Sequence, residues 1–311
     1  MIKINQVNFE ELSSLPEIDI FITALGYESR ASHLAALLVA TKARKKYCVQ
    51  LVKNCNSFEK ESFLGMNFQI IMREDFEVNS IFDFPVRNVV IDYSVMMKSL
   101  YAELIKFLVA SNNFNETNFY FSYTQSEYEV VERQETQIQS IQPILTTKDK
   151  LMTIPKDGYK LVISLGHERL SAIGVIENLE IDYEDVYVLI NKESSDAPYY
   201  MECMRSNKDF LSMLKRDQII ELDFFNFNQT ISILDSIYYK LSLNGAQVIL
   251  APMSVKTFNL LSMIHSLRYN NVFFYNVTSL STGSVGTKRA DKSVAPIVYL
   301  VNNGDDVSEI F

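Results

Sequence analysis

The chain repeats itself, and this limits its possible folds more than any other feature. Residues 21–28 read FITALGYE and residues 161–168 read LVISLGHE. Each is an apolar run closing on Leu-Gly-aromatic-Glu, with an arginine just beyond, Arg30 in one and Arg169 in the other. Further pairs follow in the same order. YCVQLVKN from Tyr47 matches VYVLINKE from Val186, and FQIIMREDF from Phe68 matches DQIIELDFF from Asp217. VRNVVIDYSV from Val86 matches GAQVILAPMSV from Gly245, and NFYFSYT, ending at Thr124, matches VFFYNVT, ending at Thr278. QPIL around Pro143 matches APIV around Pro296. Single matches of this kind arise by chance, but an ordered series at slowly drifting spacing points to an internal duplication.

Each repeated run is short, apolar and rich in β-branched residues, as a strand buried on both faces requires. Amphipathic stretches lie between them. ASHLAALLVATKARKK follows the first run and ends in basic residues that suit a helix C-terminus. SAIGVIENL takes that place in the second copy, and SVMMKSLYAELIKFLVAS and SVKTFNLLSMIHSLR follow the fourth run of each copy. NQTISILDSIYYKLS precedes the fourth run of the second copy, with Asn228 as its expected N-cap. Alternating strands and helices imply an α/β fold: two tandem Rossmann-like units, each a mainly parallel sheet of five or six strands flanked by helices. With ~150 residues per domain, the 311 residues divide into a first repeat at 1–150 and a second at 151–311. The boundary falls in KDKLMTIPKDG (Lys148–Gly158), where charge, Pro and Gly meet.

Bulk properties narrow the function. The formal net charge of -9 argues against a broad surface for duplex nucleic acid. The three cysteines, Cys48, Cys55 and Cys203, are odd in number and form no Cys-x-x-Cys. That speaks against a disulfide framework and a zinc site, and no other His/Asp/Glu cluster has metal-ligand spacing. No cofactor is indicated. The N-terminal residues MIKINQVNFEELSS do not read as a signal peptide, and no apolar stretch reaches the ~20 residues of a membrane helix. The expectation is a cytoplasmic protein with no membrane association.

Ligands of open α/β sheets bind beyond the carboxyl ends of the strands, where strand order reverses. The loops after the first and fourth strands of each copy are therefore the candidate site, and the repeated polar residues fall there. After the first strand, Gly26, Glu28 and Arg30 recur as Gly166, Glu168 and Arg169. Gly permits a tight turn, and a helix N-terminus with Arg suits a phosphate or carboxylate. Glu can bond a ribose hydroxyl or act as a general base, or it can simply cap the helix and pair with the Arg. No GxGxxG dinucleotide fingerprint is present. After the fourth strand, Ser94 and Lys98 recur as Ser254 and Lys256, while Asp92 is replaced by Pro252. A Ser N-cap with a Lys in the first turn is a phosphate grip, or an ordinary cap beside a solvated Lys. The run SLSTGSVGTKR at residues 279–289, ending in Lys288 and Arg289, is either an anion-binding loop or a surface loop. His33 and His265 fall within helices, which leaves His167, in the first loop of the second copy, as the histidine placed for acid/base work.

The run DYSVMMK (Asp92–Lys98) after the fourth strand resembles the corresponding loop of CRISPR-associated Rossmann-fold (CARF) sensor domains. Two such units in one chain resemble the pseudo-dimers of SAVED sensors in prokaryotic antiviral defence. The resemblance implies a receptor for cyclic oligonucleotides, with Ser94, Lys98, Ser254 and Lys256 contacting the ligand. The Gly-Gly-Thr-Lys form of that loop is missing, and the G-[YH]-E element has no counterpart in the resemblance.

Three functions remain open. The first is a receptor for a nucleotide or other phosphate-bearing small molecule. Gly26, Arg30, Ser94, Lys98, Gly166, Arg169, Ser254, Lys256, Lys288 and Arg289 would hold that ligand, the paired turns would share it, and the signal would pass to a protein partner. The second is a hydrolase or transferase acting on a nucleotide or phosphoribosyl substrate, with Glu28, Glu168, Asp92 or His167 as acid or base. The third is a non-catalytic scaffold for protein interactions.

Overall fold

The computed structural model describes residues 2–38, 43–110, 117–126, 137–145, 158–168, 170–192, 197–243, 245–280, 290–294 and 297–302. The chain forms two compact units. One comprises Met1–Tyr128 with Val285–Glu309, the other Glu129–Ser284 with Ile310–Phe311.

The first unit contains β1 (Ile2–Val7), α1 (Phe9–Ser13), β2 (Ile18–Leu25), α2 (His33–Leu37), β3 (Ala43–Gln50), α3 (Ser57–Gly65) and β4 (Gln69–Met72). It continues with α4 (Val78–Ile81), β5 (Asn88–Asp92), α5 (Lys98–Ala110), β6 (Asn118–Ser122) and β7 (Thr124–Ser126). The second unit contains β8 (Gln137–Pro143), β9 (Tyr159–Leu165), α6 (Ser171–Leu179), β10 (Val186–Asn191), α7 (Ala197–Ser206) and α8 (Lys208–Leu211). There follow β11 (Ile219–Leu222), α9 (Phe227–Ser242), β12 (Gln247–Pro252), α10 (Lys256–Ser266) and β13 (Val272–Leu280). The chain then returns to the first unit as β14 (Ala290–Val294) and β15 (Ile297–Asn302).

The first sheet has the order β1-β15-β6-β5-β2-β3-β4 and the second β11-β10-β9-β12-β13-β8. In each, five strands are parallel. Numbered along the chain, both parallel sets run in the order 3-2-1-4-5, so strand order reverses between the first and fourth strands. β2 and β5 flank that point in the first sheet, β9 and β12 in the second. Their residues are almost wholly buried, as strands covered on both faces must be.

The units are not consecutive halves of the chain. β8 lies antiparallel beside β13, and β15 lies antiparallel beside β6. A division at residue 150 would separate each of these strands from the sheet it completes. The linker expected at Lys148–Gly158 lies outside the described residues up to Gly158, which has φ 72°.

Two local expectations are corrected. The helix expected through ASHLAALLVATKARKK is only α2, and Arg44, Lys45 and Lys46 belong to β3. The basic groups lie beside the strand: Lys45 pairs with Asp83 at 2.6 Å, and Lys46 donates to the Met66 carbonyl. The Arg44 and Lys45 cations also lie within 4.6 Å of the Phe84 ring centroid, so the lysine-rich segment satisfies strand geometry without burying charge. The N-cap of α9 is Asn226, whose side chain accepts from the Gln229 amide at 3.1 Å, in place of Asn228.

Candidate functional site

In the first unit, the switch-point loops are bound together around Arg30, which is 1% exposed. Its Nε donates to Glu28 Oε2 at 2.6 Å, Nη1 to the Thr124 carbonyl at 2.6 Å, and Nη2 to the Ser94 carbonyl at 3.0 Å. Nη1 also reaches the Tyr123 hydroxyl at 3.4 Å. Burial alone would lower the Arg30 pKa, but the Tyr123 and Glu28 charges and hydrogen bonds outweigh it and hold the pKa above its ordinary value. The guanidinium thus joins three strand-end segments, those after β2 and β5 and the start of β7. All four of its hydrogen bonds go to protein acceptors.

The Asp92–Met96 turn is buried throughout. Asp92 Oδ1 accepts from the Ser94 amide at 3.0 Å and from the Ser94 hydroxyl, whose oxygen accepts in turn from the Thr124 amide at 2.8 Å. The Ser94 hydroxyl is therefore used as both donor and acceptor. It does not cap α5, which begins four residues later at Lys98. Lys98 itself is half-buried.

A buried carboxylate that the sequence reading overlooked, Glu59 on α3, is 2% exposed and accepts from the Ser32 amide at 2.6 Å. Asn56, three residues before it, caps α3 by accepting from the Glu59 amide at 3.2 Å. The Asn-x-x-Glu spacing of a capping box was the available signal. Cys48 is fully buried on β3, and burial, with Cys55, Asp92 and Glu59 nearby, pushes its thiol pKa well up. It is no nucleophile.

In the second unit the corresponding loops are held by different contacts. The Met253 amide donates to the Ser164 carbonyl at 3.0 Å, and the Ser164 and Ser254 hydroxyls lie 2.6 Å apart. Gly166 is close to this junction: a Cβ there would lie 2.7 Å from the Met253 carbonyl oxygen. Its φ is not positive, and neither is that of Gly26, where the nearest atom to an added Cβ is Leu51 Cδ1 at 3.9 Å. The reason for glycine expected from the sequence, a tight turn, is thus replaced at Gly166 by close approach of two backbones. Neither ground applies at Gly26. The Gly166 carbonyl accepts from Asn207 Nδ2 at 2.9 Å.

His167 is half-buried and stands edge-on to Tyr199, with ring centroids 6.0 Å apart. Glu168 accepts from the Ser171 hydroxyl at 3.2 Å and the Ser279 hydroxyl at 3.3 Å. Leu170, 45% exposed, has φ 65° at the N-cap of α6, a left-handed conformation rare for a leucine. Met253–Lys256 is half-exposed at every position. Lys256 is the first residue of α10, whose N-cap, Val255, offers no side-chain cap. Ser254 is therefore not the cap that its sequence position suggested. Asn259, 5% exposed, reaches back from the second turn to donate to the Ser254 carbonyl at 3.3 Å. Arg169, Lys288 and Arg289 lie outside the described residues.

Among the described residues, no group of three or more His, Cys, Asp and Glu is placed to hold a metal. Among the same residues no helix is long and apolar enough to cross a membrane. Comparison with known protein families, with curated proteins and with solved structures found no match.

Proposed function

We propose that the chain is a receptor for a nucleotide or other phosphate-bearing small molecule, bound at the carboxyl edge of a parallel sheet. One observation carries this reading: the loops after the first and fourth strands are bonded side by side at the reversal of strand order. That is where open α/β sheets take their ligands. Ser164 and Ser254 make this bond in the second unit, and there α10 opens at Lys256 without a side-chain cap. Uncapped helix amides beside a Lys and a hydroxyl favour a phosphate. We also propose that the two units descend from one by duplication, which the shared 3-2-1-4-5 order supports. On this proposal the matching segments around Pro143 and Pro296 have become exchanged strands, each completing the sheet of the other copy.

This reading keeps the likeness to CARF and SAVED sensors as its functional frame: a nucleotide signal received here and passed to a protein partner in antiviral defence. Binding is favoured over turnover because two of the candidate acids are engaged inside the protein, Glu28 by Arg30 and Asp92 by Ser94. A second reading, a hydrolase or transferase, is favoured by the left-handed Leu170 two residues beyond Glu168, since such strain collects at reactive sites.

Thermal melting against a panel of linear and cyclic nucleotides tests the proposal. A ligand at a hundred times its Kd should stabilise the fold by about 2.7 kcal/mol. A panel in which no nucleotide raises Tm by as much as about 1 °C refutes it. Glu168→Gln that keeps the shift but abolishes consumption of the nucleotide would select the enzyme.

A further inference from the structure

We infer that the chain takes a single phosphate-bearing ligand, seated on the Met253–Lys256 turn and the N-terminus of α10, and that the matching position of the first unit is closed by Arg30. This rests on the nucleotide-binding reading above and deepens it.

The two serines at this position have different proton inventories. Ser94 donates to Asp92 and accepts from the Thr124 amide, and it is 1% exposed, so no hydroxyl proton remains for a phosphate oxygen. Ser254 shares a 2.6 Å contact with Ser164. Two hydroxyls bring two protons to that contact, and only one can lie between the oxygens. Ser164 is 0% exposed and accepts from the Ser254 amide at 3.3 Å, whereas Ser254 is half-exposed. When Ser164 donates to Ser254 across this contact, the Ser254 proton is left for the solvent side, where it suits an anionic oxygen.

Charge separates the positions further. Two carboxylates stand at the first position: Glu28, ion-paired with Arg30, and the almost fully buried Asp92, which accepts from Ser94. A phosphate there would meet carboxylates across a region of low dielectric. At the second position Pro252 stands in place of Asp92, which removes one such charge.

Asn259 is an independent sign of a ligand. Its Nδ2 is anchored on the Ser254 carbonyl, which aims the amide at this turn, while its Oδ1 is buried without a hydrogen-bond partner. An unsatisfied buried acceptor is costly unless a donor completes it. The ligand class that serves both ends of the site is a phosphate ester carrying a hydroxyl or amino donor, as nucleotides do.

The test uses the full chain and two probes, ATP and cyclic di-AMP, in titration calorimetry and hydrogen exchange. The expected result is saturation at one probe per chain, with exchange slowed at residues 253–260 and unchanged at 93–99. Lys256→Ala should weaken binding by about tenfold or more, with Lys256→Arg recovering most of it. Two probes per chain, equal protection at 93–99, or full affinity in Lys256→Ala would overturn the inference and leave the receptor reading standing. Absence of binding by both probes would remove the receptor reading for these ligands and this inference with it.

Discussion

Replacing Gly166 by alanine places a methyl carbon 2.7 Å from the Met253 carbonyl oxygen. Ordinary contact begins near 3.4 Å, so the loops must part by about 0.7 Å. The obstructing atom is backbone, so no side chain can swing aside to relieve it. The movement acts on the bonds that join the first and fourth strands: Met253 N to Ser164 O at 3.0 Å, and the 2.6 Å hydroxyl pair. Overpacking of this kind costs about 1–3 kcal/mol, and loss of one hydrogen bond falls within that range. For a unit of this size, 2 kcal/mol lowers Tm by about 4–8 °C. Gly26→Ala is the internal control, because its nearest neighbour is a flexible Leu51 methyl at 3.9 Å. It should change stability by less than about 0.5 kcal/mol. Differential scanning calorimetry of the two variants reads the contrast directly. If Gly166→Ala melts within a degree or so of Gly26→Ala, the close approach of the two loops is wrong, and the switch-point geometry of the second unit is wrong with it.

Three other perturbations follow from the same contacts. Arg30→Ala should cost about 3–5 kcal/mol by stranding the Glu28 carboxylate and the Thr124 and Ser94 carbonyls; Arg30→Lys should recover little, since an ammonium cannot reproduce the fork, and urea unfolding measures both. Fragments 1–150 and 151–311 should each aggregate when made alone and become soluble when made together, because each lacks the strand that covers the edge of β6 or β13; a monomeric, cooperatively melting fragment would count against this. His265 is fully buried; burial, opposed by Asp235 at 3.1 Å and assisted by Arg268, holds its pKa down to about 4. A histidine so depressed favours folding above its unfolded pKa of about 6.5, and that contribution, up to about 3 kcal/mol, is lost as pH falls from there toward 4. His265→Gln should flatten this limb of a stability-versus-pH curve, and an unchanged limb would exclude His265 as its source.

Parallel strands were legible because burial on both faces leaves unbroken apolar runs, and FITAL, YCVQ, NVVID and QVILAP all occupy strands as read. Strand order was not written locally. The segments around Pro143 and Pro296 look alike, and nothing in either states which sheet it will join. Only the first half of β3 was masked, by ARKK, whose aliphatic stems suit a strand as well as a helix end. The loops after the first and fourth strands lie where strand order reverses, and the Glu28–Arg30 pair was one of the readings open from the sequence, but the remaining partners of Arg30 were not. Arg30 reads as a ligand-binding group until its partners are known, and those partners, Thr124 and Ser94, are distant in sequence. Glu59 drew no reading from the sequence, although Asn56 three residues earlier announced a helix cap.

The contrast between Asp92 and Pro252 was visible from the start, and it accounts for much of the difference between the two loops. Asp92 offers an acceptor at the strand end, so Ser94 turns inward with both its amide and its hydroxyl, and the whole Asp92–Met96 turn is buried. Pro252 offers no such acceptor. Ser254 therefore pairs with Ser164 on the adjoining strand, and Met253–Lys256 stays half-exposed above the opening of α10. Arg30, paired with Glu28 and bonded to the Ser94 carbonyl, closes the same edge at the cost of its own reach toward solvent. The residue at this strand end, Asp92 in one unit and Pro252 in the other, thus goes with a closed, buried turn in the first and with a hydroxyl and a helix N-terminus left at the surface in the second.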